Sequence, residues 1–158
     1  MHLATAASSS IIRDRFLADH RRLEVVFETL LDAFEGGVWS DVSDLWTQLE
    51  SELERHMLAE EKFLIVRLRE SNPEDAETIL TDHRAIRARL AEFGVGIDLH
   101  IIRMTMASKF IDELQKHARL EDKLLYQWGD AHLGERDQAS LLSALASKAT
   151  RRVLRSTR

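Results

Sequence analysis

Apolar residues in this chain recur at alternating steps of three and four, in four long runs. The first runs from about Ser10 to Glu35 and stops at Gly36-Gly37; Phe16, His20, Leu23, Phe27, Leu31 and Phe34 share one stripe. The second starts near Ser40 or Asp41, both good N-cap residues, and reaches about Ser71. Its stripe is Val42, Leu45, Leu49, Leu53, His56, Glu60, Phe63 and Arg67. Asn72-Pro73 then cuts the chain and places Pro at the first position of a third helix. That helix carries Ile79, His83, Ile86, Leu90 and Phe93 and is expected to end near Gly94 and Gly96. The fourth runs from about Asp98 to Trp128, with Phe110, Leu114, His117, Glu121, Leu124 and Trp128 on one seam, and Gly129 is expected to close it. Stripes of this kind belong to helices that face a common core. Short connections favour antiparallel neighbours, so the pattern predicts an all-α, up-down-up-down four-helix bundle. Residues 138–153 predict a shorter fifth helix with Leu141, Leu142, Leu145, Ala149 and Val153 on one side, merging into a basic tail. The chain reads as one domain over 1–158, with the bundle at about 10–129 and the extra helix and tail at about 130–158.

Six positions break the apolar stripes. His20, His56, Glu60, His83, His117 and Glu121 stand where Leu or Ile would otherwise be expected. They are not scattered. Residues 53–64 read LERHMLAEEKFL and residues 114–125 read LQKHARLEDKLL; each pairs a His with a Glu four places later, on the same face of a helix. DHR occurs at 19–21 and again at 82–84. The chain therefore looks like two copies of one unit, offset by roughly 60 residues. A lone His on an apolar face is usually a hydrogen-bonded core residue. Four His and two Glu on matched seams instead suit a dinuclear metal site, because a shared ion relieves the cost of burying the carboxylates. Imidazole and carboxylate suit iron, manganese or zinc. Glu-x-x-His, the ligand pair of ferritin-like bundles, is absent, since Leu53 and Leu114 stand three before His56 and His117.

Composition narrows the picture. One Pro and six Gly in 158 residues leave room for long helices. With no Cys, thiolate ligands and disulfides are excluded, so any metal must be held by nitrogen and oxygen. A net charge of −5 gives no general attraction to nucleic acid. No apolar run approaches membrane-spanning length, and the first residues do not resemble a signal peptide, so a cytoplasmic location is expected. Lys148, Arg151, Arg152, Arg155 and Arg158 leave two readings of the tail: a solvated end, or a surface for an anionic protein partner.

The segments DHRRLE at 19–24, HMLAEEKFL at 56–64, DHR at 82–84 and HARLEDKLLY at 117–126 resemble the hemerythrin-like proteins. Their cation-binding domain is a four-helix bundle around two non-haem irons. The resemblance spans about residues 16–128. It implies His20, His56, His83 and His117 as ligands, Glu60 and Glu121 as bridging carboxylates, and two iron ions with an oxo or hydroxo bridge, zinc or manganese being possible substitutes. Two departures matter. Oxygen-carrying members have a further His four places after the third-helix His, where this chain has Arg87. They also take the last carboxylate five places after the final His; that is Asp122 here, but the match with Glu60 favours Glu121. With one His fewer, each iron is expected to have about five ligands, leaving both metals a free position. Glu24 and Arg87 hold matching places, each four after a helix His, and form either a charge pair beside the cluster or two solvent-facing groups with local partners. Trp39, Trp46, Tyr126 and Trp128 read as core or bundle-end residues rather than redox relays, while His2, His100 and His132 are off the seams and expected at the surface.

The leading functional expectation is a di-iron binding module for dioxygen, nitric oxide or cellular iron. An enzyme acting on peroxide or nitric oxide, or an iron donor in iron–sulfur cluster repair, is the alternative. No acid or base outside the ligand set stands out, so no catalytic residue is assigned and the balance leans away from an enzyme.

Overall fold

The structure is a computed structural model that describes residues 10–147. Among these residues it is all-helical, with five helices and no strand. Helix α1 is Ile11–Gly36. Helix α2 spans residues 39–71 as Trp39–Glu60, a π-helical stretch Glu61–Ile65, and Val66–Ser71. Helix α3 is Pro73–Asp98. Helix α4 spans residues 104–132 as Met104–Glu121, a second π-helical stretch Asp122–Tyr126, and Gln127–His132. Helix α5 is Glu135–Ala146. The expected continuation of α5 to Val153 and the basic tail lie outside the described residues. No helix among the described residues is long and apolar enough to cross a membrane.

Helices α1 to α4 form a closed ring: α1 packs on α2, α2 on α3, α3 on α4, and α4 back on α1. α5 lies against α1 and α2 at one end, burying Leu141 and Leu145. The interior has two apolar layers. One holds Leu23, Phe27, Trp46, Leu49, Leu90, Phe93 and Phe110. The other holds Ile12, Phe16, Leu64, Leu68, Ile79, Leu125 and Leu141. On each helix the seam passes from one layer to the other through the polar positions: Phe16, His20, Leu23 on α1, and Ile79, His83, Ile86 on α3. A polar stratum thus lies between two hydrophobic ones.

Helix ends follow the expectation at α1 and depart from it at both ends of α4 and at the end of α3. α1 does stop at Gly36-Gly37: Gly37 takes φ 68°, its N–H reaches Phe34 O at 3.2 Å, and Val38 N–H reaches Ala33 O at 3.3 Å. This is a Schellman closure. α3, however, runs through Gly94 and Gly96. Its closure is on His100, at φ 56°, with His100 N–H to Ile97 O at 3.0 Å and Ile101 N–H to Gly96 O at 2.9 Å. A His in the left-handed region is uncommon; here the exposed ring packs at a tilt of 48° against Trp39, centroids 4.2 Å apart. α4 therefore starts at Met104, not Asp98, and runs past Gly129 to His132. Gly129 stays helical because it is a point of close approach, where a Cβ would meet Leu64 at 2.8 Å.

The seam itself shifts in mid-helix. Phe63 and Leu124 are only partly buried and Arg67 is exposed, whereas Leu64, Ile65 and Leu68 on α2, and Leu125, Tyr126 and Gly129 on α4, are buried. Each shift begins directly after Glu60 or Glu121, where the π turn opens. A π turn carries one extra residue, so every later side chain is re-aimed by one position.

Gly94 sits in a helix interior with its nearest foreign contact at Trp46, 3.4 Å from an added Cβ. Gly94→Ala is expected to stabilise the protein by about 0.5–1 kcal/mol, measured by urea unfolding. Had the helix ended there on a left-handed glycine, the same change would destabilise. Gly96→Ala is expected to destabilise, because the methyl would collide with Ile102.

Candidate metal centre

The fold brings all six stripe-breaking residues into one stratum. Glu60, Glu121 and His83 have no exposed surface, His56 is 2% exposed and His117 7%. His20 is half-buried, with 15% of its side chain exposed. The donor atoms form two groups: His20, His56, Glu60 and Glu121 in one, and His83, His117 and Glu121 in the other. Within the first, His20 Nε2 is 2.9 Å from His56 Nε2 and 3.3 Å from Glu121 Oε2, and His56 Nε2 is 3.2 Å from Glu60 Oε1. Within the second, His83 Nε2 is 3.0 Å and His117 Nε2 2.5 Å from Glu121 Oε1. Glu60 reaches across as well, its Oε2 lying 3.3 Å from His83 Nε2. Both glutamates thus face both groups.

The donor set fits a pair of cations. His117 Nε2 and Glu60 Oε2 are fully buried yet make no aligned hydrogen bond, despite neighbours at 2.5 Å and 3.3 Å. Buried polar atoms are almost always paired. Imidazole nitrogens and carboxylate oxygens packed this closely have the spacing of adjacent ligands on one ion, which would take the place of the imidazole protons.

The far side of the imidazoles carries the second half of the design. His56 Nδ1 meets Asp19 Oδ2 at 2.7 Å, His117 Nδ1 meets Asp82 Oδ2 at 3.1 Å, and His83 Nδ1 meets Glu61 Oε1 at 2.8 Å. The Asp of each DHR therefore orients the His of the following helix. A carboxylate behind a ligating imidazole fixes its tautomer and raises its basicity. Arg87 closes the third relay: it grips Glu54 at 3.0–3.1 Å and Glu61 at 2.7 Å. Arg87 and Glu24 are not paired with each other; Glu24 instead accepts a long 3.5 Å bond from Gln115. Asp122 is also accounted for, since its carboxylate is held by Arg13 at 2.6 Å and 3.1 Å, away from the cluster. His20 alone has no partner on its buried Nδ1.

One residue of the site escaped the sequence reading. Tyr126 is buried in the apolar core as expected, but its hydroxyl enters the cluster, donating to Glu60 Oε1 at 2.5 Å and lying 2.9 Å from Glu121 Oε2. Only the π turn aims it there. In an unbroken α-helix the residue one turn after Glu121 would be Leu125. The expectation for the other groups holds where it falls on described residues: Trp46 is in the core, and His100 and His132 are exposed. His2 lies outside the described residues.

An apolar cavity of about 70 Å³ abuts the centre between α1, α2 and α4. Leu23, Phe27, Leu53, Met57, Ile111 and Leu114 line its wall, and His20, His56, His117 and Glu121 its floor. Exposed Glu24 and Glu28 and half-buried Gln115 lie at its outer rim.

Charge explains how this stratum survives with protons alone. Burial lowers the His56 imidazole, but the Glu60 and Asp19 carboxylates override it and hold it up at about 10. Burial opposes His83 too, and Glu121 and Glu60 raise it to about 10. Burial pushes Glu121 up, yet the imidazoles of His117, His20 and His83 hold it well below the usual carboxylate range. Burial also opposes Asp19, which His56 and Arg22 bring down to about 2. Burial and both glutamates push the Tyr126 phenol well above its ordinary value. Because the folded values of His56 and His83 lie above the ordinary 6.5, their contribution to metal-free stability is complete below about 6.5. It is lost as the pH rises through about 10. Metal-free protein is therefore expected to melt at progressively lower temperature from pH 6.5 to 10, and metal-loaded protein is not. Metal uptake must also expel those protons, so calorimetry in buffers of different ionisation enthalpy should still detect proton release at pH 8. Absence of release there would contradict the charge balance described.

Asp82→Ala removes only the carboxylate behind His117. It is expected to weaken metal affinity about 10–100-fold with the fold intact, measured by competition with a chelator. Asp122→Asn is expected to leave metal content unchanged.

No curated protein and no solved structure matches the chain. The family model for the hemerythrin HHE cation binding domain matches residues 11–129, which covers all of α1 to α3 and nearly all of α4. With that match over most of its length, the chain belongs to the hemerythrin HHE cation-binding domain family.

Proposed function

We propose that this chain is a non-haem di-iron protein that binds or senses a small diatomic ligand, dioxygen or nitric oxide. The observation that carries the reading is the apolar cavity of about 70 Å³ seated directly on the buried donor cluster. Such a space admits a diatomic and leaves little room for a large organic substrate. In this reading His20 and His56 hold one iron and His83 and His117 the other, with Glu60 and Glu121 facing both. Zinc or manganese can take the same donors. Bound iron would supply the electrons and the open coordination position that a diatomic needs.

The chain's own part is positioning and exclusion. Asp19, Asp82 and Glu61 keep three imidazoles turned with Nε2 inward. The two apolar layers keep bulk water from the stratum between them. The ring order of α1 to α4 and their short links support the up-down-up-down arrangement and a single domain.

Loaded anaerobically, the protein is expected to hold two irons per chain and to show a reversible spectral change with dioxygen or nitric oxide. Repeated turnover of peroxide or nitric oxide would favour an enzyme instead, and an inert spectrum would reduce the metal to a structural staple. Leu53→Phe, which fills the cavity, is expected to slow association of nitric oxide without changing iron content. An unchanged stopped-flow rate would remove the cavity as the entry route.

A further inference from the structure

The six cluster residues and the Asp of each DHR match between the two halves, but one buried position beside them does not. His20 pairs with His83, His56 with His117, Glu60 with Glu121, and Asp19 with Asp82 in the repeat. The π turns match too, Glu61–Ile65 with Asp122–Tyr126. Their last residues are the fifth after each glutamate, and there one half has Ile65 and the other Tyr126. Both are buried, so the phenol is not needed to fill space.

Its oxygen is surrounded by donor atoms of one group only. It lies 2.5 Å from Glu60 Oε1, 2.9 Å from Glu121 Oε2, 3.0 Å from His20 Nε2 and 3.5 Å from His56 Nε2. Those are the four residues of the first metal group. Adjacent ligands on one ion, with bonds of about 2.0–2.2 Å at right angles, are about 3 Å apart. A hydroxyl has a single proton to give. Two carboxylate oxygens and two imidazole nitrogens crowd it, and that proton serves one of them at a time. The ring is fixed by stacking on Phe16, centroids 4.8 Å apart and planes 27° apart.

We propose that Tyr126 is a fifth protein ligand to the metal held by His20, His56, Glu60 and Glu121, bound through its phenolate oxygen. The proposal rests on the di-iron reading above. On loading, the phenolic O–H bond breaks, the proton leaves to solvent, and the freed oxygen lone pair makes the bond to the cation. A phenolate is a hard anionic donor that suits iron. The two metals are then unequal: Tyr126 adds a ligand to one, and Ile65 supplies nothing comparable to the other, which is also the one beside His83 and Arg87, where the further His is missing. The expectation that both metals keep a free position is replaced by one filled and one open.

The test uses the full chain loaded with iron under nitrogen and then oxidised to the ferric state. Iron is quantified, and visible absorption and resonance Raman spectra are recorded for the parent and for Tyr126→Phe. The expected result is a phenolate-to-iron charge-transfer band with tyrosinate ring modes in the parent, and loss of both in the variant while iron stays at two per chain. A separate titration of metal-free parent with zinc alone should give an ultraviolet tyrosinate difference spectrum, absent in the variant. The parent's own signals decide the matter if the variant fails to fold. Two irons per chain with no tyrosinate signal in iron or zinc protein would overturn the ligand role and leave the di-iron reading standing. A band that persists in Tyr126→Phe would also overturn it. Failure to take up two metals would overturn the di-iron reading itself.

Discussion

Two carboxylates buried without any exposed surface govern this structure. Glu60 and Glu121 sit at the centre of a helical bundle, where an uncompensated charge costs several kcal/mol. Everything around them answers that constraint. Four imidazoles and a phenol converge on them, and a further ring of carboxylates and arginines stands behind the imidazoles. Polar groups are confined to one stratum, so the apolar layers on either side can pack as ordinary hydrophobic cores. Protons on the imidazoles balance part of this charge, as the raised values of His56 and His83 show.

The duplicated unit solves the geometry with few instructions. An HxxxE pair on a helix gives one nitrogen and one carboxylate on a common face. A single His on the preceding helix adds a second nitrogen. The Asp before that His does not serve its neighbour in sequence; it crosses to the HxxxE imidazole of the next helix, Asp19 to His56 and Asp82 to His117. The DHR tripeptide is thus two functions in adjacent residues, one facing the centre and the other aligning the partner helix. This arrangement links helix packing to ligand orientation, since sliding α1 along α2 would break the alignment of His56.

The helices, their stripes and the six cluster residues were legible in the sequence because they follow the regular helical period. What stayed hidden follows from departures from that period. Beyond Glu60 and Glu121 the stripe was extended to Phe63, Arg67, Leu124 and Trp128, but the π turns advance it to Leu64, Leu68, Leu125 and Gly129. The same extra residue turns Tyr126 from a core position into the cluster. A signal did exist: Leu64-Ile65 and Leu125-Tyr126 are adjacent apolar pairs, which a strict stripe cannot bury together. Glycine marks a helix end at Gly36-Gly37 but not at Gly94 and Gly96, because α3 uses His100 for the left-handed closure. The roles of Asp19, Asp82 and Glu61 depend on contacts between helices, which spacing along one chain does not reveal.

The pseudosymmetry fails on one side, and the failures coincide. Glu61 turns to His83 and is backed by Arg87, whereas its counterpart Asp122 turns outward to Arg13. His20 is consequently the imidazole with no partner on Nδ1, and it is also the more exposed one and a wall of the cavity. Gln115 stands where the other half has Glu54, so the rim beside Glu24 has a weak amide contact in place of the Arg87 clamp. One half is therefore stapled by charge, and the other is left loose where the cavity opens. The cavity therefore borders the imidazole that has no carboxylate behind it, while Arg87 ties α3 to α2 through Glu54 and Glu61. Strict symmetry would have backed His20 and His83 equally; the chain instead departs from it at Gln115, Asp122 and Tyr126, all on α4, and so backs His83 with a clamped carboxylate while His20 borders the cavity without one.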